Sequence, residues 1–208
     1  MVKSLFNKLK VLAIGAHPDD LELGCAAVLH LAKEARGLVV GIPRASKELR
    51  VARQAEAERA ASILGYDLCI KDLIQDRLDL TGLITAVELE IGSYHPDLVI
   101  THFEKDRHQD HRDTYAAVVS ACRRFTGSLL FFYVPSTDYE FVPNLFIDID
   151  QETWDLKLRA IRAHKSQALK PYMNDRLLDA YGYKWSLLHE GSLSCCEAYK
   201  IGRIKVAL

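Results

Sequence analysis

Apolar runs and helically spaced apolar positions alternate along this chain of 208 residues. Val11-Leu12-Ala13-Ile14-Gly15 is interrupted by no polar side chain, and such a run marks a strand covered on both faces. The same reading predicts strands at Leu38–Ile42, Leu68–Ile70, Leu98–Thr101, Leu129–Val134 and Leu145–Ile149. Between them, helical spacing predicts helices over 21–35, 47–64, 80–94 and 112–124. A last one over 151–167 carries Trp154, Leu158 and Ile161 on one face. Gly65 stands where a glycine stops the second helix. In the tail, Ser194–Val206 is expected to contain a late strand.

Strand–helix alternation of this kind predicts an α/β fold. The expected form is a Rossmann-like three-layer sandwich with a mostly parallel central sheet, read as a single domain over residues 1–208. Its first and fourth strands should be neighbours where the strand order reverses, the place where open α/β sheets bind ligands. Dinucleotide binding has no support there, because Gly15-Ala16-His17-Pro18 is not the GxGxxG turn.

Two clusters follow those two strands. The first is His17-Pro18-Asp19-Asp20, in which Pro18 fixes one backbone angle and stiffens the turn. The second lies within His102-Phe103-Glu104-Lys105-Asp106-Arg107-His108-Gln109-Asp110-His111. Imidazole and carboxylate together suit a divalent metal such as zinc. His108 and His111 are three apart, and Asp110 can orient one imidazole by accepting its spare N–H. Each cluster also has a plainer reading as helix capping, by Asp19 or Asp20 with Glu22 in the first and by Asp110 in the second. Two such turns, holding four histidines, are hard to assign to capping alone.

At these residues the sequence resembles the LmbE-like (PIG-L) zinc-dependent N-deacetylases of amino sugars. The resemblance rests on AHPDD at 16–20 followed by DRHQDH at 106–111, and covers nearly the whole chain. Weaker matches are RQAEAERAASILG at 53–65, Asp76-Arg77-Leu78, PNLFIDI at 143–149 and His164-Lys165-Ser166-Gln167. The resemblance implies His17, Asp20 and His111 as metal ligands and Asp19 as general base. It implies His108 as the base's partner, oriented by Asp110, and Arg53 as a substrate contact; a lone helix arginine would otherwise pair with Glu56. The implied cofactor is Zn2+, with Fe2+ or another divalent ion compatible with the same donors. The implied partner is a small-molecule N-acetylated sugar, free or as a glycoside or nucleotide conjugate, and a homo-oligomer is common in the family. Gly41-Ile42-Pro43-Arg44-Ala45-Ser46 and Phe132-Tyr133 depart from the family pattern where substrate would be held.

Bulk properties narrow the setting. A net charge of −1 gives no electrostatic reason to expect nucleic acid or an anionic membrane. The first ten residues hold three lysines but no apolar segment of signal-peptide length, and no run nears the roughly 18 residues of a membrane span. Five cysteines without CxxC spacing point to reduced thiols and a cytoplasmic protein. Two other function classes compete. His108-Gln109-Asp110 with His164 could form the facial triad of an iron(II) oxygenase. A binding protein could also keep the metal pocket without turnover.

Overall fold

The computed structural model describes residues 6–42, 46–71, 73, 80–188 and 194–205. Seven strands form one sheet in the order β3-β2-β1-β4-β5-β7-β6. They are β1 (Lys10–Gly15), β2 (Glu34–Val39), β3 (Asp67–Ile70), β4 (Leu98–Thr101), β5 (Ser128–Phe132), β6 (Leu145–Ile149) and β7 (Cys195–Arg203). The first five pair in parallel, while β7 runs antiparallel to both β5 and β6. The sheet is therefore mostly parallel, as the alternation predicted, and β1 and β4 lie side by side at the reversal of strand order.

Both faces of β1 are buried, which is why its sequence shows no alternation. Val11 and Ala13 pack toward a core shared with α1 (Asp20–Leu31), α2 (Lys47–Leu64) and α5 (Gln151–Arg162). Leu12 and Ile14 pack toward a second core with α3 (Leu80–Tyr94), α4 (Gln109–Ala121) and α6 (Asp175–Leu188). Ser46 caps α2 by accepting from Leu49 N–H, and Gly65 ends it in the left-handed conformation at φ 82°. Among the described residues no helix is long and apolar enough to cross a membrane.

The elements differ from expectation where pairing overrides local pattern. The first helix stops at Leu31, not near Ala35, because Ala32 is already extended. β2 then begins at Glu34, held residue by residue against β1 from the pair Lys10–Glu34 onward. The fourth helix starts at Gln109, three residues earlier than its apolar pattern. The last predicted helix ends at Arg162, with a short 3-10 turn at Lys165–Gln167. The late strand is present as β7, and α6 before it was not anticipated.

Candidate active site

The turn after β1 is built to bring two carboxylates inward. Gly15 leaves no Cβ, and one placed there would come within 3.1 Å of the side chains of Asp20 and Leu21. Asp20 Oδ2 reaches back to accept the His17 N–H at 2.7 Å. Asp19 occupies the N-cap position of α1 yet makes no side-chain capping bond, and Glu22 points into the interior toward Tyr66 and His164. The capping reading of this turn therefore fails.

The turn after β4 is longer. Thr101 Oγ1 donates to the Ile14 carbonyl at 2.9 Å and ties the two strand ends together. His102 is fully buried and stacks on His111, with ring centroids 4.0 Å apart. Burial, reinforced by His111, lowers its pKa to about 4. Its Nε2 lies 3.1 Å from the Ala16 N–H and 3.2 Å from Asp20 Oδ2. His108 caps α4, its Nδ1 accepting from the Asp110 N–H at 3.3 Å.

Three donor groups converge between the turns. His17 Nδ1 and His111 Nε2 are 3.2 Å apart. Asp20 lies 3.6 Å from the first through Oδ2 and 3.4 Å from the second through Oδ1. Metal–ligand bonds of about 2.0–2.1 Å give tetrahedral edges of about 3.3–3.4 Å, close to the His17–His111 separation, while Asp20 turns a different oxygen to each ring. Each imidazole is held from its far side. His17 Nε2 lies 2.9 Å from Asp110 Oδ2, leaving Nδ1 for the site. His111 Nδ1 lies 3.2 Å from Asp106 Oδ2 and 3.1 Å from Ser136 Oγ, leaving Nε2. Asp20 is held well below the usual carboxylate range: burial opposes ionisation, but His111 and His102 outweigh it. His111 rises to about 10, because Asp20 and Asp106 overcome its burial. Two imidazoles and a carboxylate facing one another in this way are a donor set for a divalent cation, and the residues fit one.

Beside this cluster Asp19 is buried, and burial together with the neighbouring Asp20 raises it to about 6. Arg53 reaches its Oδ1 and the Tyr172 hydroxyl its Oδ2, both at 3.4 Å. A cavity of about 340 Å³ opens here, with His17, Asp19, Asp20, Arg53, His108 and His111 in its wall.

Most of the anticipated residues thus meet at one cavity, and one pairing differs. Asp110 does not orient His108, which lies 3.9 Å away, but His17, because the start of α4 turns the carboxylate across the cleft. Arg53 turns into the cavity, and Glu56 accepts from Ser166 instead. The oxygenase triad is not assembled, since His164 lies on Glu22 and Asp110 on His17. Arg44 and Arg77 lie outside the described residues. Sequence reasoning missed Asp106, although it opens the DRHQDH segment, and Tyr172, which sits in a tail without a recognised pattern.

Comparison with known proteins agrees with this geometry. The profile of the PIG-L family, whose description is GlcNAc-PI de-N-acetylase, matches residues 12–122. The uncharacterised deacetylase YaiS of Escherichia coli (strain K12) is 36% identical over 173 residues, covering 77% of this chain and 93% of that protein. The N,N'-diacetylchitobiose deacetylase of Pyrococcus horikoshii superposes with a TM-score of 0.75 at 21% identity, over 97% of this chain and 86% of its own. The 4-carboxy-2-hydroxymuconate hydratase GalB of Pseudomonas putida KT2440 superposes with a TM-score of 0.81 at 17% identity, over 96% and 98%. At such identities the likeness to the two structures shows the fold alone, so a hydratase and a deacetylase on one architecture leave the reaction to the site. With more than half its length matched by the family profile and a relative this similar over nearly its full length, the chain belongs to the PIG-L family.

Proposed function

We propose that this chain is a metal-dependent hydrolase that removes the acetyl group from the N-acetyl of an amino sugar or its glycoside or nucleotide conjugate. The observation that carries the reading is Asp19. It is a buried carboxylate beside three converging donors, it does not cap its helix, and it faces the cavity. A binding protein has no use for such a group.

His17, Asp20 and His111 would hold the ion, zinc by donor set, with iron(II) served by the same donors. When bound, it supplies Lewis-acid polarisation and a water acidified to near neutrality. Asp19 takes the proton of the attacking water and returns it to the departing amine. Arg53 and Tyr172 hold its two oxygens in place. His108 has its Nδ1 engaged by the Asp110 N–H, so its Nε2–H is the donor offered to the developing oxyanion. Its pKa is lowered, chiefly by burial and then by His17 and His111, so the ring acts as a neutral donor.

The sugar preference is supported by family membership and by the diacetylchitobiose deacetylase among the fold neighbours. The cavity, at the lower end of the roughly 300–1,000 Å³ typical of ligand sites, is of a size for one small ligand. All five cysteines are unpaired, which supports a cytoplasmic setting. Acetate release from N-acetylglucosamine, its nucleotide-linked form and an acetyl-lysine peptide tests the proposal. Release from a sugar substrate, abolished by chelator, is expected; turnover of the peptide alone overturns the substrate class.

A further inference from the structure

Helix α1, whose first turn carries Asp20, is broken in the middle. Cys25 has φ −148° and ψ 28°, outside helical geometry. In an unbroken helix the Leu23 carbonyl would accept the Ala27 N–H. Here two side chains from elsewhere take those groups. Lys157 of α5 donates to the Leu23 carbonyl at 3.0 Å, and Glu197 of β7 accepts the Ala27 N–H at 3.1 Å. Lys157 and Glu197 also bond each other at 2.6 Å. The cation meets the carbonyl and the carboxylate meets the amide, so an ion pair is inserted in series into one rung of the helix. Insertion of a side chain into the ladder is a recognised cause of a kink.

The pair is nearly solvent-free, its side chains 6% and 2% exposed, and Glu197 Oε2 accepts from Tyr199 at 2.6 Å. Burying two charges costs several kcal/mol before their attraction is counted, and an apolar pair often serves stability as well. Stability alone therefore gives a weak reason for this arrangement, whereas its location gives a strong one. Leu23 N–H donates to the Asp19 carbonyl at 3.1 Å, so Lys157 is one residue's backbone away from the proposed base. On the opposite side Gly24 lies flat on Phe132, where an added Cβ would fall 2.5 Å from the ring. Phe132 in turn packs edge-on against His102.

We propose that Lys157 and Glu197 are positioning residues for the turn after β1: by holding α1 open at Cys25 they set the angle at which Asp19 and Asp20 enter the cavity. The inference rests on reading Asp20 as a metal ligand. The informative variant is Lys157→Met combined with Glu197→Leu, which removes both charges and lets Leu23 and Ala27 bond directly. The double variant is expected to keep its circular dichroism and a cooperative melt. Zinc affinity, measured by chelator competition, should fall about tenfold or more, within the roughly 10–100-fold effect of outer partners on a metal site. The visible spectrum of the Co2+-loaded protein should shift, and kcat should fall more than KM changes, since a misplacement of about 1 Å can cost about 10²-fold. A folded double variant with parental zinc affinity, cobalt spectrum and kcat overturns the proposal. Should the double variant not fold, Lys157→Met serves in its place. It leaves the Leu23 carbonyl without its donor, and parental zinc affinity in it is equally fatal. A crystal structure of the metal-free variant separates this inference from the metal assignment. Cys25 returned to helical angles with Asp20 displaced supports it even if no ion binds, and an unchanged kink refutes it.

Discussion

The two strand-end turns meet at one cavity but contribute unequally. The turn after β1 is short and closed, with His17, Asp19 and Asp20 each about 95% buried. It carries two of the three proposed donors and the proposed base. The turn after β4 is longer and more open, with the side chains of His108 and Asp110 47% and 29% exposed. It supplies one donor, and beyond that the carboxylates that orient both imidazoles, Asp110 on His17 and Asp106 on His111. On the proposed reading the first turn carries the chemistry and the second sets the geometry. The two are coupled, since His17 Nε2 lies on the carboxylate of a residue 93 positions away.

The strongest way to break this division is to remove donors. The parent should carry about one divalent ion per chain, as a single mononuclear site requires. His17→Ala, Asp20→Ala and His111→Ala should each purify with almost none, measured by elemental analysis. Full occupancy in the His111→Ala protein would mean that the second turn holds no ligand. Next in size is the base. Asp19→Asn should keep its ion and its fold while acetate release falls roughly 10²–10⁴-fold, the range for a positioned acid–base group. Near-parental turnover would move the base to another residue and take the chemistry out of the first turn.

How much of this could be read from sequence follows from how local each feature is. β1, β4, α2 and α3 were legible because their apolar spacing is complete within one segment. The end of α1 was not, because Glu34, Ala35 and Arg36 look helical and become strand only through the ladder to β1. α6 is hard to read because the exposed Leu177, Leu187 and Leu188 add apolar positions off the buried face that Leu178 and Trp185 form. Within the site, His17, Asp19, Asp20 and His111 were legible as residue types crowded at strand ends. Partners across the cleft were not. Asp110 was expected on His108, its sequence neighbour, and the structure turns it to His17. The Lys157–Glu197 pair joins α5 to β7 across a helix break that no sequence pattern announces.

A middle-sized effect sharpens the role of the second turn. Asp110→Asn and Asp106→Asn each remove a charged acceptor behind one imidazole without touching a donor. Zinc affinity should fall about 10–100-fold in each, the usual cost of losing such a partner. Isothermal titration with zinc reads it directly. Losses as complete as those of the donor variants would erase the distinction between the turns, and unchanged affinity would show that the rings need no outer hold.

The smallest expected effect concerns what anchors the first turn from beneath. Glu22, in the first turn of α1, accepts from Tyr66 Oη at 2.6 Å and lies 3.2 Å from His164 Nε2, all three buried. Burial opposes charge on His164, but the bond to Glu22 and its attraction raise the pKa above the ordinary 6.5. A histidine whose folded pKa is raised contributes stability that is complete below its unfolded value and is lost as pH climbs through the folded one. His164→Gln should therefore lower the melting temperature more at pH 5.5 than at pH 9. The loss at the lower pH should correspond to about 1.5–3 kcal/mol, the usual range for a hydrogen bond to a charged group. Equal losses at both values would show that the ring is neutral throughout. The anchor would then be an ordinary hydrogen bond, and the first turn would owe its position to the backbone of α1 and not to a charge beneath it.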